Sequence, residues 1–248
     1  MRAGLSLERV APERLPMVLA ALHRVLAVGD LLELTLSAPW RADALTDVLV
    51  GAGFTVDEVA RDPDGSPPAP LVARATRART LPDTVGPRMR LLVCGLNPSL
   101  YAADAGVAFA RPGNRFWPAA RAAGLVTTDR SPERALADHG VGMTDLVKRA
   151  TTAAAELTAA EYRAGLARVE RLVAWLRPGA VCFVGLAGWR AAVDRRATAG
   201  VQPAALAGTP VYVMPSTSGL NARTPPAELA GHLRAARRLA DAGTAATR

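Results

Sequence analysis

The chain has 248 residues, half of them hydrophobic, with a formal net charge of +8 and only two cysteines. That length can bury a full core as one large domain or two small ones. No apolar run reaches the roughly 20 residues of a membrane helix, and the start, residues 1–8, has no continuous apolar segment of a secretory leader, so a cytosolic protein is expected. Cys94 and Cys182 sit in strand-like apolar runs and are expected as reduced core residues, while His23, His139 and His232 stand far apart without ligand spacing. No metal is expected.

In chain order, residues 11–27 carry helical spacing in Leu15, Val18, Leu19, Leu22, Val25 and Leu26, broken by Gly29-Asp30. A strand follows over 31–36, a helix over 42–50, and a strand over 54–59. The stretch 62–68, rich in Pro, Asp and Gly, signals a turn, and 71–76 is the returning strand. Residues 81–88, with Pro82, Gly86 and Pro87, read as a linker. This divides the chain into a small α/β module (1–80), the linker, and a second domain (89–248).

The second domain alternates strands and helices: strand 90–94, helix 114–123, helix 159–176, strand 180–184, helix 187–196, strand 210–214 and a closing helix over 225–240. Alternation of this kind predicts an α/β fold with a parallel-type central sheet flanked by helices. Function in such sheets gathers in loops beyond the carboxyl ends of the strands. Charge separates at the same boundary. Residues 1–88 hold 10 Arg and 11 Asp/Glu, net −1, whereas 89–248 hold 20 Lys/Arg and 11 Asp/Glu, net +9. A basic half is what a phosphate-binding surface leaves, although Lys148 is the only lysine and the arginine bias weakens the weight of any single Arg.

Four blocks occupy the loops: Gly95-Leu-Asn-Pro-Ser99, Phe109-Ala-Arg-Pro-Gly-Asn-Arg-Phe-Trp117, Gly140-Val-Gly-Met-Thr-Asp-Leu-Val147, and Met214-Pro-Ser-Thr-Ser-Gly-Leu-Asn221. In this order and spacing they resemble the mismatch-specific uracil-DNA and thymine-DNA glycosylase family, over roughly residues 89–241. The resemblance implies a uracil-DNA glycosylase-like fold. It also implies a monofunctional enzyme that flips uracil, or thymine and other damaged pyrimidines, out of DNA and hydrolyses the N-glycosidic bond without metal or cofactor. Its partner would be double-stranded DNA with U:G or T:G mismatches, with single-stranded DNA a second candidate and no membrane.

That reaction passes through an oxocarbenium-like sugar while negative charge gathers on the departing base, so the site must orient a water and needs no nucleophilic side chain. Asn97 matches the family asparagine that positions the water. It offers a carbonyl for the water and an amide for base or sugar, against the plainer possibility that it caps its turn. Asp145 is a candidate general base, or else a surface or helix-capping aspartate. Leu96 and Ser99, on either side of Asn97-Pro98, are substrate-binding candidates; Ser99 replaces the family's glycine and is expected to narrow the pocket mouth. Phe109 is expected to stack on the extruded base or to pack in the core. Ser218, Gly219, Leu220 and Asn221 match the family's wedge, with Leu220 as the intercalating side chain or a buried loop anchor. Arg111 and Arg223 are candidates for phosphate, and Asn114, Arg115 and Trp117 are expected to tie loop to helix. The last loop lacks the histidine of the fastest uracil glycosylases, which implies modest turnover on weakly paired bases.

Residues 10–78 more weakly resemble the C-terminal half of a class I methyltransferase, without the G-x-G turn that would hold its cofactor. The expectation is a noncatalytic remnant or docking module, so that a chain beginning near Val85 should fold and cleave. A methyltransferase-related enzyme and a noncatalytic DNA-binding module stand as alternatives.

Overall fold

A computed structural model describes residues 2–7, 10–37, 39–62 and 69–246. Two sheets follow one another along the chain. The first has the order β1-β2-β4-β3, built from β1 (Arg2–Ser6), β2 (Leu31–Leu36), β3 (Phe54–Arg61) and β4 (Leu71–Arg77). Strand β1 runs parallel to β2, and β4 lies antiparallel between β2 and β3. The alternation in Leu31-Leu-Glu-Leu-Thr-Leu36 turns Leu32, Leu34 and Leu36 inward. There they meet Leu15 and Leu19 of α1 (Leu15–Val25), and Leu45 and Leu49 of α2 (Ala42–Gly51). Helix α1 starts later than its apolar spacing suggests because Pro12–Arg14 form a 3-10 turn. The turn expected over 62–68 lies, from residue 63, outside the described residues.

The second sheet has the order β6-β5-β7-β9-β8, from β5 (Leu91–Gly95), β6 (Val141–Asp145), β7 (Ala180–Val184), β8 (Gly200–Val201) and β9 (Val211–Met214). All pairings are parallel except β8 with β9. Six helices join these strands: α3 (Leu100–Ala105), α4 (Phe116–Ala122), α5 (Pro132–His139), α6 (Ala159–Leu176), α7 (Leu186–Ala192) and α8 (Pro226–Ala246). Leu91, Val93, Cys182, Val184 and Met214 pack under α4 and α8, while Leu92, Cys94, Val181, Phe183 and Val213 pack under α6 and α7. Strands buried on both faces read as unbroken apolar runs, which is why β5, β7 and β9 stand out in the sequence. This is the expected α/β fold: a parallel-rich central sheet flanked by helices. Among the described residues no helix is long and apolar enough to cross a membrane.

Strand β6 is less visible because Val141-Gly-Met-Thr-Asp145 mixes a glycine and two polar residues. All five are nonetheless buried. A Cβ on Gly142 would run into the Met89 side chain, so the strand needs a glycine where that methionine crosses it. The stretch 81–88, expected as a linker, packs into this same edge. Leu81, Asp83, Thr84 and Val85 are buried, and Thr84 exchanges two backbone hydrogen bonds with Met143, at 2.9 and 2.8 Å. Proline and glycine suggested a joint; the backbone uses them to turn one more short segment against β6.

Candidate active site

The order of the second sheet puts β5 between β6 and β7, so the connection leaving β5 and the one leaving β7 run to opposite sides. A crevice opens at the carboxyl ends of strands at such a switch point. It holds a cavity of about 430 Å³ whose wall includes Leu96, Asn97, Ser99, Phe109, Asp145 and Leu220. All four sequence blocks contribute to this wall, the third through Asp145 at the end of β6.

Beyond the strand ends, the β5 and β6 loops continue as a ladder. Leu146 and Val147 donate to the carbonyls of Gly95 and Leu96 at 2.9 Å each, and Thr151 donates to that of Pro98 at 3.1 Å. This zipper fixes Asn97. Its Nδ2 donates to the Arg149 carbonyl at 3.0 Å, to Thr151 Oγ1 at 2.8 Å and to the Pro98 carbonyl at 3.1 Å. Carbonyl oxygens accept only from a donor, so these partners assign the nitrogen and turn Oδ1 the other way. The amide expected to bond the base is thus engaged by the protein. Ser99 serves as the N-cap of α3, accepting from Ala102 N at 3.1 Å, while its residue also lines the cavity. Leu96 lines the cavity and packs on the core beneath α7.

Phe109 has φ of +57°, a conformation that costs a non-glycine residue about 1–3 kcal/mol and recurs at functional sites. Its ring stacks on buried Phe116, centroids 4.1 Å apart and planes 19° off parallel. The backbone just before it is tied by the Trp117 indole, which donates to the Ala108 carbonyl at 2.8 Å. Arg115 staples the last loop: Nη1 donates to the Thr224 carbonyl at 2.7 Å, and Nη2 donates to the carbonyls of Ser218 and Asn221. Arg115 and Trp117 therefore tie loop to helix, as expected. Asn221, expected to contact DNA, turns its amide inward onto the Ser216 carbonyl at 2.8 Å and Thr224 Oγ1 at 3.1 Å. Gly219 presses on the backbone of Gly113, where a Cβ would stand 3.0 Å from the carbonyl oxygen. These contacts hold out Leu220, which is 86% exposed and hence no buried anchor. Ser218 and Arg111 line the cavity beside it, and Arg223 is exposed on the same loop outside it.

Asp145 lies level with Gly95 in the β5–β6 register, and a Cβ on Gly95 would collide with its Oδ1. The glycine makes room for the carboxylate. Burial is the largest influence on Asp145 and pushes its pKa up to about 6; Lys148 and Arg168 pull it down, while Asp83 adds to the rise. Behind it lies an ionic cluster that the sequence patterns missed. Asp83 accepts from Thr144 Oγ1 at 2.7 Å, Lys148 Nζ at 2.8 Å and Arg168 Nη1 at 2.8 Å. Burial opposes the ionised form of Asp83, but Arg168 and Lys148 outweigh it and hold the carboxyl below its ordinary value. The one available signal was Arg168 itself, an arginine one residue before Val169 on the otherwise apolar face of α6.

A family model for the uracil DNA glycosylase superfamily matches residues 82–237, from the segment carrying Asp83 into α8. It does not single out a mismatch-specific branch, and it gives no support to the methyltransferase resemblance of residues 10–78. With the match covering more than half of the chain, and with a cavity at the switch point of a parallel sheet, the chain belongs to the uracil DNA glycosylase superfamily, whose members are DNA glycosylases that hydrolyse N-glycosyl bonds.

Proposed function

We propose that this glycosylase excises uracil, and thymine or related damaged pyrimidines, from mismatched DNA by flipping the base into the cavity at the carboxyl end of β5. The observation that carries this reading is the meeting of Asn97, Asp145 and Phe109 in one cavity with exposed Leu220 at its rim. Asn97 Oδ1 orients the attacking water, since the Asn97 nitrogen is held by the loop. Asp145 accepts the water's proton and places negative charge near the cationic sugar. Phe109, backed by Phe116, offers one ring face to the extruded base. Leu220 enters the space the base has left, and Arg111 and Arg223 meet phosphates.

The last loop, residues 215–221, has no histidine to stabilise the leaving anion. Excision is then slow and favours bases already weakly paired, because flipping a mismatched base costs less of the few kcal/mol of unpairing and unstacking. The test is incubation with U:G, T:G, U:A and single-stranded U oligonucleotides followed by alkali. Strand breaks with U:G and T:G well ahead of U:A support the reading. Equal cleavage of U:A and U:G would leave a uracil glycosylase without mismatch preference.

A further inference from the structure

Asp145 is the last residue of a buried strand, and what lies behind it decides both where its carboxylate sits and how readily it ionises. Asp83 is 3% exposed and Arg168 5%, and with Lys148 and Thr144 they form a connected set of hydrogen bonds. Arg168 Nη2 donates to Thr144 Oγ1 and to the Asp145 carbonyl, both at 2.9 Å, so Thr144 must pass its own proton on to Asp83. The cluster therefore grips the main chain of Asp145 directly. With both aspartates ionised it holds two cations and two anions, and protonating Asp145 leaves an uncompensated positive charge among buried groups.

Lys148 has a place of its own in this geometry. The chain's only lysine stands in the half of the chain with net charge +9, where an outward lysine would meet phosphate. Instead its ammonium points inward to Asp83, and its carbonyl accepts from Thr80 Oγ1. The carboxyl end of helix α2 closes the arrangement from behind. Asp83 N donates to the Gly51 carbonyl at 2.7 Å, and a Cβ on Gly51 would stand 2.5 Å from Asp83 Oδ2 and 3.0 Å from Arg168 Nη1. Only a glycine at the end of α2 allows the cluster to pack there.

We propose that Lys148 and Asp83 are positioning residues for base excision, which act through Arg168 and Thr144 to set the charge and the place of the Asp145 carboxylate. This rests on the reading of Asp145 as the base. The charged groups facing Asp145 are Asp83 from the segment before β5, Lys148 from the loop after β6 and Arg168 from α6; the Cys94 thiol of β5, pushed well above its ordinary value by burial, stays neutral. Lys148 favours the ionised form of Asp145 and Asp83 opposes it, so the two should be separable by sign.

The experiment is single-turnover excision from a uracil-containing duplex, measured against pH for the wild type, Lys148→Met, Lys148→Arg, Asp83→Asn and Asp145→Asn. Loss of the lysine charge should move the acid limb to higher pH by about one unit, so that the rate on that limb drops about tenfold, and Lys148→Arg should restore it. Asp83→Asn should move the limb the other way, because the positive charge of Lys148 and Arg168 then acts on Asp145 without the opposing charge of Asp83. Loss of packing alone would not give opposite shifts. An acid limb that vanishes in Asp145→Asn but keeps its wild-type midpoint in folded Lys148→Met overturns this inference and leaves the role of Asp145 standing. A wild-type profile without an acid limb, or one unchanged in Asp145→Asn, removes both. Should Asp83→Asn fail to fold, the Lys148→Met and Lys148→Arg pair decides alone.

Discussion

Thr151 Oγ1 lies 2.8 Å from Asn97 Nδ2, joining the loop after β6 to the loop after β5 at the residue proposed to orient the water. Because the nitrogen is anchored, Oδ1 has one orientation rather than two. Asn97→Ala should lower single-turnover excision by about 100-fold, the scale for losing one preorganised polar group, with duplex affinity nearly unchanged. Thr151→Val keeps the shape and drops one of the three acceptors, so a smaller loss is expected. Excision by Asn97→Ala at the wild-type rate would remove this residue from the mechanism.

Asp145 should impose an acid limit on the reaction. Its carboxyl is raised to about 6, so the proton-accepting form is complete above that pH and is lost as pH falls through it. The wild-type rate should therefore fall about tenfold per pH unit below 6. Asp145→Asn should slow excision at neutral pH by roughly 100-fold and flatten this limb, with DNA affinity unchanged or slightly tighter because a negative charge near phosphate has gone. A variant with the wild-type rate and profile would assign Asp145 to structure.

Leu220 presents the test of flipping. An exposed leucine held out by Arg115 and Asn221 has no folding role to lose, so Leu220→Ala should leave the melting temperature unchanged. It should slow excision from duplex DNA by about tenfold, the equivalent of roughly 1.4 kcal/mol. Single-stranded uracil has no hole to fill and should be cut at the wild-type rate. Equal losses on both substrates would make Leu220 a contact to the strand rather than a wedge.

Much of this site was legible in the sequence, and the part that was not has a physical reason. Asn97, Asp145, Phe109 and Leu220 were legible through the family-like blocks in which they stand, and those blocks could be placed in loops because strands buried on both faces read as apolar runs. Strand β6 hid behind Gly142, whose use is a crossing by Met89 that no local pattern records. The stretch 81–88 looked like a linker because proline and glycine mark turns wherever they occur, and burial of Asp83 depends on Lys148, 65 residues later, and Arg168, 85 residues later. The place of Asn221 in its block suggests a DNA contact, while its amide faces the loop's own carbonyl.

That linker matters for truncation. A chain begun near Val85 would lack Asp83 and leave Lys148 and Arg168 buried without a carboxylate between them. Removing one partner of such a pair costs about 3–5 kcal/mol, a large share of a domain's total stability. The expectation that such a chain folds and cleaves is therefore replaced: it should be insoluble or melt far below the full chain. A soluble, cleaving protein beginning at Val85 would show that the ionic cluster is dispensable.

Helix α1 carries its own pH signature in His23. The side chain is 2% exposed, its Nε2 donates to the Ala78 carbonyl at 3.1 Å, and its ring meets Phe54 edge-on at 5.7 Å. Burial first, then the Arg77 charge, lower its pKa from 6.5 to about 4. The folded protein binds this proton less readily than the unfolded chain does, so the stability is present in full above pH 6.5 and is lost as pH falls toward 4. Between pH 7 and pH 5 the loss amounts to about 2 kcal/mol, or several degrees of melting temperature. Asp145 runs the opposite way, since a raised carboxyl pKa gains stability on acidification, so the wild type alone would report a mixture. The measurement is the difference between wild type and His23→Gln across this range. His23→Gln should be less stable at pH 7, through lost packing on Phe54, and should lose less on going to pH 5. Parallel melting curves against pH for the two proteins would show that folding leaves the His23 pKa where it is in the unfolded chain.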